Sequence, residues 1–227
     1  GGHEADHALF NRAMILGLEK KYQDKATLLA LLPQRYPASS LIDEALYEQG
    51  RARQLVGDVS GAEQLFTRFL RERANSPFAP KVALQLALTY YGESRLDDAV
   101  KAYERVVRNY PQSGEAKSAL QDLKSISIQL NRVDSYSRLV QETGVSEQLS
   151  LTELDSLAYL AAEGVVARGA NAEGIEALES YIKSYPRGAF VDKATYSQAL
   201  LKYQARQYSD VVTLLSGRVK TFQGKLA

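Results

Sequence analysis

The sequence predicts an all-α protein, a right-handed α-solenoid of stacked antiparallel helix pairs. Three observations carry that expectation. Residues 80–111 read as two amphipathic helices joined at Gly92-Glu93-Ser94, with apolar residues three and four apart. The same order of small residue, turn, small residue and aromatic recurs on both sides of that stretch, at a period of about 34 residues. The pairs Tyr36-Pro37, Tyr110-Pro111 and Tyr185-Pro186 punctuate the chain, and proline cannot continue a helix.

Each element has its own reason. Residues 3–37 hold a worn first pair: an amphipathic helix from Ala8 to Glu19, then a second from Asp24 to Leu32 that Pro33 ends or kinks. In residues 41–77, Ser40 with Asp43 signals a cap, and Gly50 is the small residue of the first helix. Gly57 marks the turn there, Ser60-Gly61-Ala62-Glu63 spells a capping box, and Ala62 and Phe66 form the crossing pair. The closing Pro77 comes late. In residues 80–111, Ala87 and Ala99 let two helices approach closely, while Leu86, Tyr90, Tyr103, Val106 and Val107 fill the space beside them. Residues 115–143 keep the period but place Lys124 and Tyr136 where small residues stand elsewhere. From Pro111 to Pro186 there are about seven residues more than two units of that period require, and Thr143–Leu149 is the expected place for them. Ser150 with Glu153 caps the next helix, followed by Ala161-Ala162, the turn at Gly169, and the crossing pair Gly174 and Leu178. In residues 190–216, Asp192, Ala194, Tyr196 and Ala199 echo Asp43, Ala45, Tyr47 and Gly50, and Tyr208, Val211 and Leu215 belong to the last helix. The expected division is 1–143 with about four pairs, an irregular connection at 144–150, and 151–227 with about two. Both ends read as those of a piece of something longer.

Composition excludes several classes. The 28 basic and 27 acidic residues leave a net charge of +1, which gives no footprint for nucleic acid. No apolar run reaches the roughly 18 residues of a membrane span, so direct membrane insertion is not expected. Cysteine is absent, which removes disulfides and thiolate metal sites. No GxSxG, Walker loop or dinucleotide fingerprint is present, and no segment reads as the strand that such loops follow. Asp97-Asp98 and Asp43-Glu44 lie at helix starts, where carboxylates complement the macrodipole. His3-Glu4-Ala5-Asp6-His7 matches the zincin string. A catalytic zinc needs a third protein ligand, and these are the only two histidines. A non-enzyme without cofactors is expected, with a metal-dependent hydrolase through His3, Glu4 and His7 as the distant alternative.

Fourteen tyrosines are the feature that points to a surface. In a superhelix of helix pairs the first helices line the concave face. Tyr47, Arg51 and Gln54 fall on one first helix; Leu84, Leu88 and Tyr91 fall on the next; Tyr159 and Glu163, then Tyr196 and Tyr203, continue the stripe. Spacings of three, four or their sum keep each group on one face, away from the small residues that meet the paired helix. Exposed tyrosine suits a peptide or a partner helix; the alternative is that some of these side chains cover neighbouring pairs.

The pattern of Leu86-Ala87, Tyr90, Ala99, Tyr103 and Pro111 resembles the tetratricopeptide repeat across nearly the whole chain. Arg35-Tyr36-Pro37 with Ser39-Ser40 and Asp43-Glu44-Ala45-Leu46-Tyr47-Glu48 is similar to the joint of bacterial envelope repeats of the YbgF and BamD types. Ala119-Leu120-Gln121-Asp122-Leu123-Lys124 and Val133-Asp134-Ser135-Tyr136 resemble large repeat proteins of Bacteroidetes envelopes. The resemblance implies a non-catalytic adaptor, periplasmic or associated with the outer membrane, that binds a protein or peptide. A self-assembling structural module is the alternative, and the oligomeric state is left open.

Overall fold

The computed structural model of the chain describes residues 2–145 and 150–225, with side chains over 4–145 and 150–218. Among the described residues there are thirteen helices and no strand. The first seven are α1 (Gly2–Leu18), α2 (Tyr22–Ala30), the short α3 (Leu32–Arg35), α4 (Ile42–Leu55), α5 (Val59–Glu72), α6 (Ala79–Gly92) and α7 (Leu96–Asn109). They are followed by α8 (Gly114–Gln129), α9 (Val133–Thr143), α10 (Leu151–Ala167), α11 (Asn171–Ser184), α12 (Val191–Gln204) and α13 (Tyr208–Lys225). Apart from α3, these fall into six consecutive hairpins, as the sequence predicts. Pro33 starts α3, so it ends the preceding helix and begins a fresh turn. The first helix is longer than expected, beginning at Gly2 rather than Ala8.

Two compact units divide the chain after Leu120. The first has a core around Leu29, Leu32, Phe66, Phe69 and Val82, with Tyr36 and Tyr110 packed against it from the joints. The second gathers Ala161, Ala162, Leu178, Tyr181 and Val191, with Tyr185 against them.

The backbone sets a period that the prolines hide. Each hairpin turn contains one left-handed residue: Lys20, Gly57, Ser94, Asn131, Gly169 and Arg206, spaced by 37, 37, 37, 38 and 37 residues. Glycine takes this conformation freely, whereas the others accept some strain to reverse the chain in so few residues. The repeat is thus longer than the expected period of about 34. On this spacing Ala74, not Pro77, is the equivalent of Pro37 and Pro111, and the surplus expected between Pro111 and Pro186 shrinks to the one extra residue between Asn131 and Gly169. Ser146, Glu147, Gln148 and Leu149 themselves lie outside the described residues.

The caps also differ from the expectation. Asp58, not the Ser60 box, caps α5, accepting from the Gly61 amide at 3.0 Å. Ahead of α4 the acceptor is Ser39 rather than Ser40, taking a hydrogen bond from Leu41 N at 3.2 Å. Ser76 and Ser113 repeat the device one and two units later, accepting from Phe78 N and Ala116 N at 3.1 Å each. The Ser150–Glu153 capping box forms as predicted. The Ser150 amide and hydroxyl, each donating to Glu153 Oε2 at 2.8 Å, hold the Glu153 carboxyl below its ordinary value.

The small residues sit where the helices cross. Ala62, Ala87, Ala99 and Ala162 are fully buried. At Gly50 a Cβ would lie 2.2 Å from Phe66 Cε1, so the ring rests directly on the α4 backbone. Tyr103 and Tyr136 are buried. Tyr90 is only half-buried, its hydroxyl donating to Glu63 at 3.1 Å. Ala99→Leu is expected to cost about 1–3 kcal/mol by overpacking; urea unfolding measures it, and a loss near zero would show that the crossing has slack.

Candidate protein-binding face

The 37-residue spacing of the turns places Tyr47 with Leu84, Arg51 with Leu88, and Gln54 with Tyr91 at equivalent positions of α4 and α6. In the second unit it places Tyr159 with Tyr196 on α10 and α12. The predicted stripe therefore keeps one phase within each unit. Its members differ in how much they offer to a partner.

On α4 the three residues are engaged at home. The Tyr47 ring is half-buried, 6.1 Å from the Phe78 ring, and burial pushes its hydroxyl up while Arg51 opposes the shift. The Arg51 guanidinium lies 5.8 Å from the centre of that ring and donates to Glu48 Oε1 at 3.3 Å. Gln54 spans to α6: its amide donates to Thr89 Oγ1 and its carbonyl accepts from Gln85 Nε2 at 2.9 Å. Gln54 is thus a fastener between pairs. On α6, Leu84 is half-buried, whereas Leu88 and Tyr91 are 39% and 47% exposed.

The second unit departs further from the expectation. Tyr159 is buried, not displayed. Its ring stacks on Phe190 at 4.6 Å between centroids and packs against Tyr181 at 5.5 Å. Its hydroxyl donates to Glu163, and burial followed by that carboxylate pushes its ionisation upward. Glu163 is exposed but holds this hydroxyl. On α12, Tyr196 and Tyr203 are 68% and 60% exposed. Sequence reasoning missed Leu200, exposed between them; the four-then-three spacing from Tyr196 would have found it. Tyr208 meets Tyr203 edge-on at 5.4 Å, extending the apolar stripe onto α13.

The metal string lies on α1 and is only partly described. His7 contacts the neighbouring Asp6 at 3.1 Å, the His3 side chain lies outside the described ones, and no cluster able to hold a metal ion occurs among the described residues.

Hairpin pairs with small crossing residues and a left-handed turn in each make an α-solenoid with the tetratricopeptide-repeat type of fold. Residues 39–125 match the family described as "YfiO: Outer membrane lipoprotein", and over that stretch the chain resembles BamD-like repeat proteins. Among solved structures, the chain is similar to a tetratricopeptide repeat protein from Parabacteroides merdae ATCC 43184. The identity is 14% at a TM-score of 0.54, covering 96% of this chain and 80% of that one. It is also similar to the putative kinesin light chain repeats of Podosopora anserina, with 16% identity and a TM-score of 0.49, covering 82% of this chain and 96% of that one. The first of these carries the fold assignment. No curated protein matches the chain. No helix among the described residues is long and apolar enough to cross a membrane.

Proposed function

We propose that this protein is a non-catalytic scaffold of the bacterial envelope that holds a peptide or helix of a partner protein on the face of its first helices. One observation carries the reading. Large apolar side chains stay exposed on a first helix of each unit: Leu88 and Tyr91 on α6 in the first, and Tyr196, Leu200 and Tyr203 on α12 in the second. None is needed to close its own pair, and clustered exposed aromatics mark interaction sites. The envelope location rests on the partial match to an outer membrane lipoprotein family.

The test separates binding from folding. Tyr47 and Arg51 are poor choices for substitution, since one packs on Phe78 and the other pairs with Glu48. Leu88→Asp with Tyr91→Ala touches only exposed positions. Proteins captured from an outer-membrane extract by wild type but not by this variant are to be titrated against both. At least tenfold weaker binding, about 1.4 kcal/mol, is expected with an unchanged melt. Equal affinity for the two would move the site elsewhere.

A self-assembling module is favoured by Tyr208, Val212 and Leu215, exposed on α13, a face that a stacked neighbour would bury. Light scattering across concentration decides this reading, and a strict monomer removes it.

A further inference from the structure

A groove of about 570 Å³ runs between the end of α2 with α3 on one side and α4 and α5 on the other. It uses Leu46, Gln49 and Arg53 of α4, a different face of that helix from Tyr47, Arg51 and Gln54. Two features of its wall are unusual. Gln49 is 5% exposed, yet its carboxamide makes no side-chain hydrogen bond among the described residues; it opens on the groove. Arg68, on α5, is exposed and meets no carboxylate among the described residues. Arg53 stands opposite with Asp58 Oδ2 at 3.4 Å, on the rim. No residue lining the groove is acidic.

The second unit supplies an internal comparison. A groove of about 470 Å³ lies between α11, α12 and α13, with Gln198 and Lys202 in the places of Gln49 and Arg53. There Glu179 and Asp210 also line the wall, Lys202 pairs with Asp210 at 3.4 Å, and Gln198 donates to the Ile175 carbonyl at 3.5 Å. That groove is balanced in charge and its amide is engaged. The first is cationic and its amide is free.

We propose that the groove between α2–α3 and α4–α5 binds an extended acidic segment of a partner protein. A carboxamide presents a donor and an acceptor side by side, which matches the N–H and C=O of an extended main chain. Gln49 takes that role. The Arg68 guanidinium takes a carboxylate in a forked pair. The site is independent of the tyrosine face.

The probes are three peptides: alternating glutamate and glycine with both ends capped, its glutamine–glycine counterpart with both ends capped, and the glutamine–glycine peptide with a free terminal carboxylate. Each is titrated against the whole chain while the side-chain amide resonances are followed by NMR. The capped glutamate peptide is expected to bind at least tenfold more tightly than either of the others and to shift the Gln49 amide. Arg68→Glu is expected to abolish that preference with an unchanged melt, because Arg68 is exposed. Equal binding of the two capped peptides, or no binding, would overturn the proposal. So would a preference that survives Arg68→Glu, or shifts at Gln198 in place of Gln49. Tighter binding of the free-terminus peptide would overturn the side-chain assignment in favour of a chain end.

Discussion

Glu48→Leu is expected to lower the unfolding free energy by about 3–5 kcal/mol, the range for stranding a buried charge. The reason lies at Lys25. This lysine stands 37 and 74 positions before Ala62 and Ala99, in the place where the next two hairpins have a small crossing residue, on the spacing the turns set. Its side chain is 9% exposed and that of Glu48 is 11% exposed. Lys25 Nζ donates to Glu48 Oε2 while Arg51 reaches Oε1 at 3.3 Å. One carboxylate thus serves two cations, one of them inside the helix crossing. The lysine stem passes Gly17, where a Cβ would lie 3.0 Å from Lys25 Cδ, so there is little room for the ammonium to swing aside. Removing the carboxylate leaves that charge desolvated and unmatched. Lys25→Met together with Glu48→Leu is expected to regain most of the loss, since two apolar side chains fill similar volume without a charge. Urea unfolding of the wild type and the two variants measures both effects. A single variant within about 1 kcal/mol of wild type, the usual range for surface pairs, would show that Lys25 reaches water.

Phe66→Ala is the second large effect, about 3–5 kcal/mol from lost burial and the cavity left behind. The ring is fully buried against Gly50, with no Cβ between it and the α4 backbone. Gly50→Leu alone is expected to destabilise as well, by overpacking of about 1–3 kcal/mol or more. Combining the two should cost less than their sum, because the new side chain occupies the space that the ring vacates. Strict additivity in the double-mutant cycle would mean that the two positions do not share a volume.

Much of the fold could be read because it rests on local chemistry. Gly50, Ala87, Ala99 and Ala162 mark the crossings by size alone, and Gly57 and Gly169 mark turns by backbone freedom. The period was harder to read. Pro77 sits within the connection to α6 and not at the joint equivalent to Pro37, so counting between prolines misleads. Lys20 and Arg206 carry the same left-handed turn with no sign of it in their residue type. The phase of the binding stripe was legible from helical spacing, but exposure along it was not. Tyr159 is covered by Phe190, and Gln54 is held by Gln85 and Thr89. These partners are more than thirty residues away in sequence, and only packing brings them near. Lys25 would be taken for a solvated lysine until Glu48 is placed beside it.

The joints have a consequence for how such a protein can diverge. Asp43, the acidic residue of the joint motif, is bound to Arg73 at 2.6 Å. Asp155, at the matching place in the second unit, takes the Tyr181 hydroxyl and the Ala189 amide. Asp192 follows with Arg218 at 3.5 Å. These side chains stitch the start of a hairpin to chain at its far end. None of them belongs to the exposed stripe of Leu88, Tyr91, Tyr196, Leu200 and Tyr203. Heredity of architecture and choice of partner are therefore written in separate alphabets. The displayed face can be rewritten for a new partner while the joints stay the same.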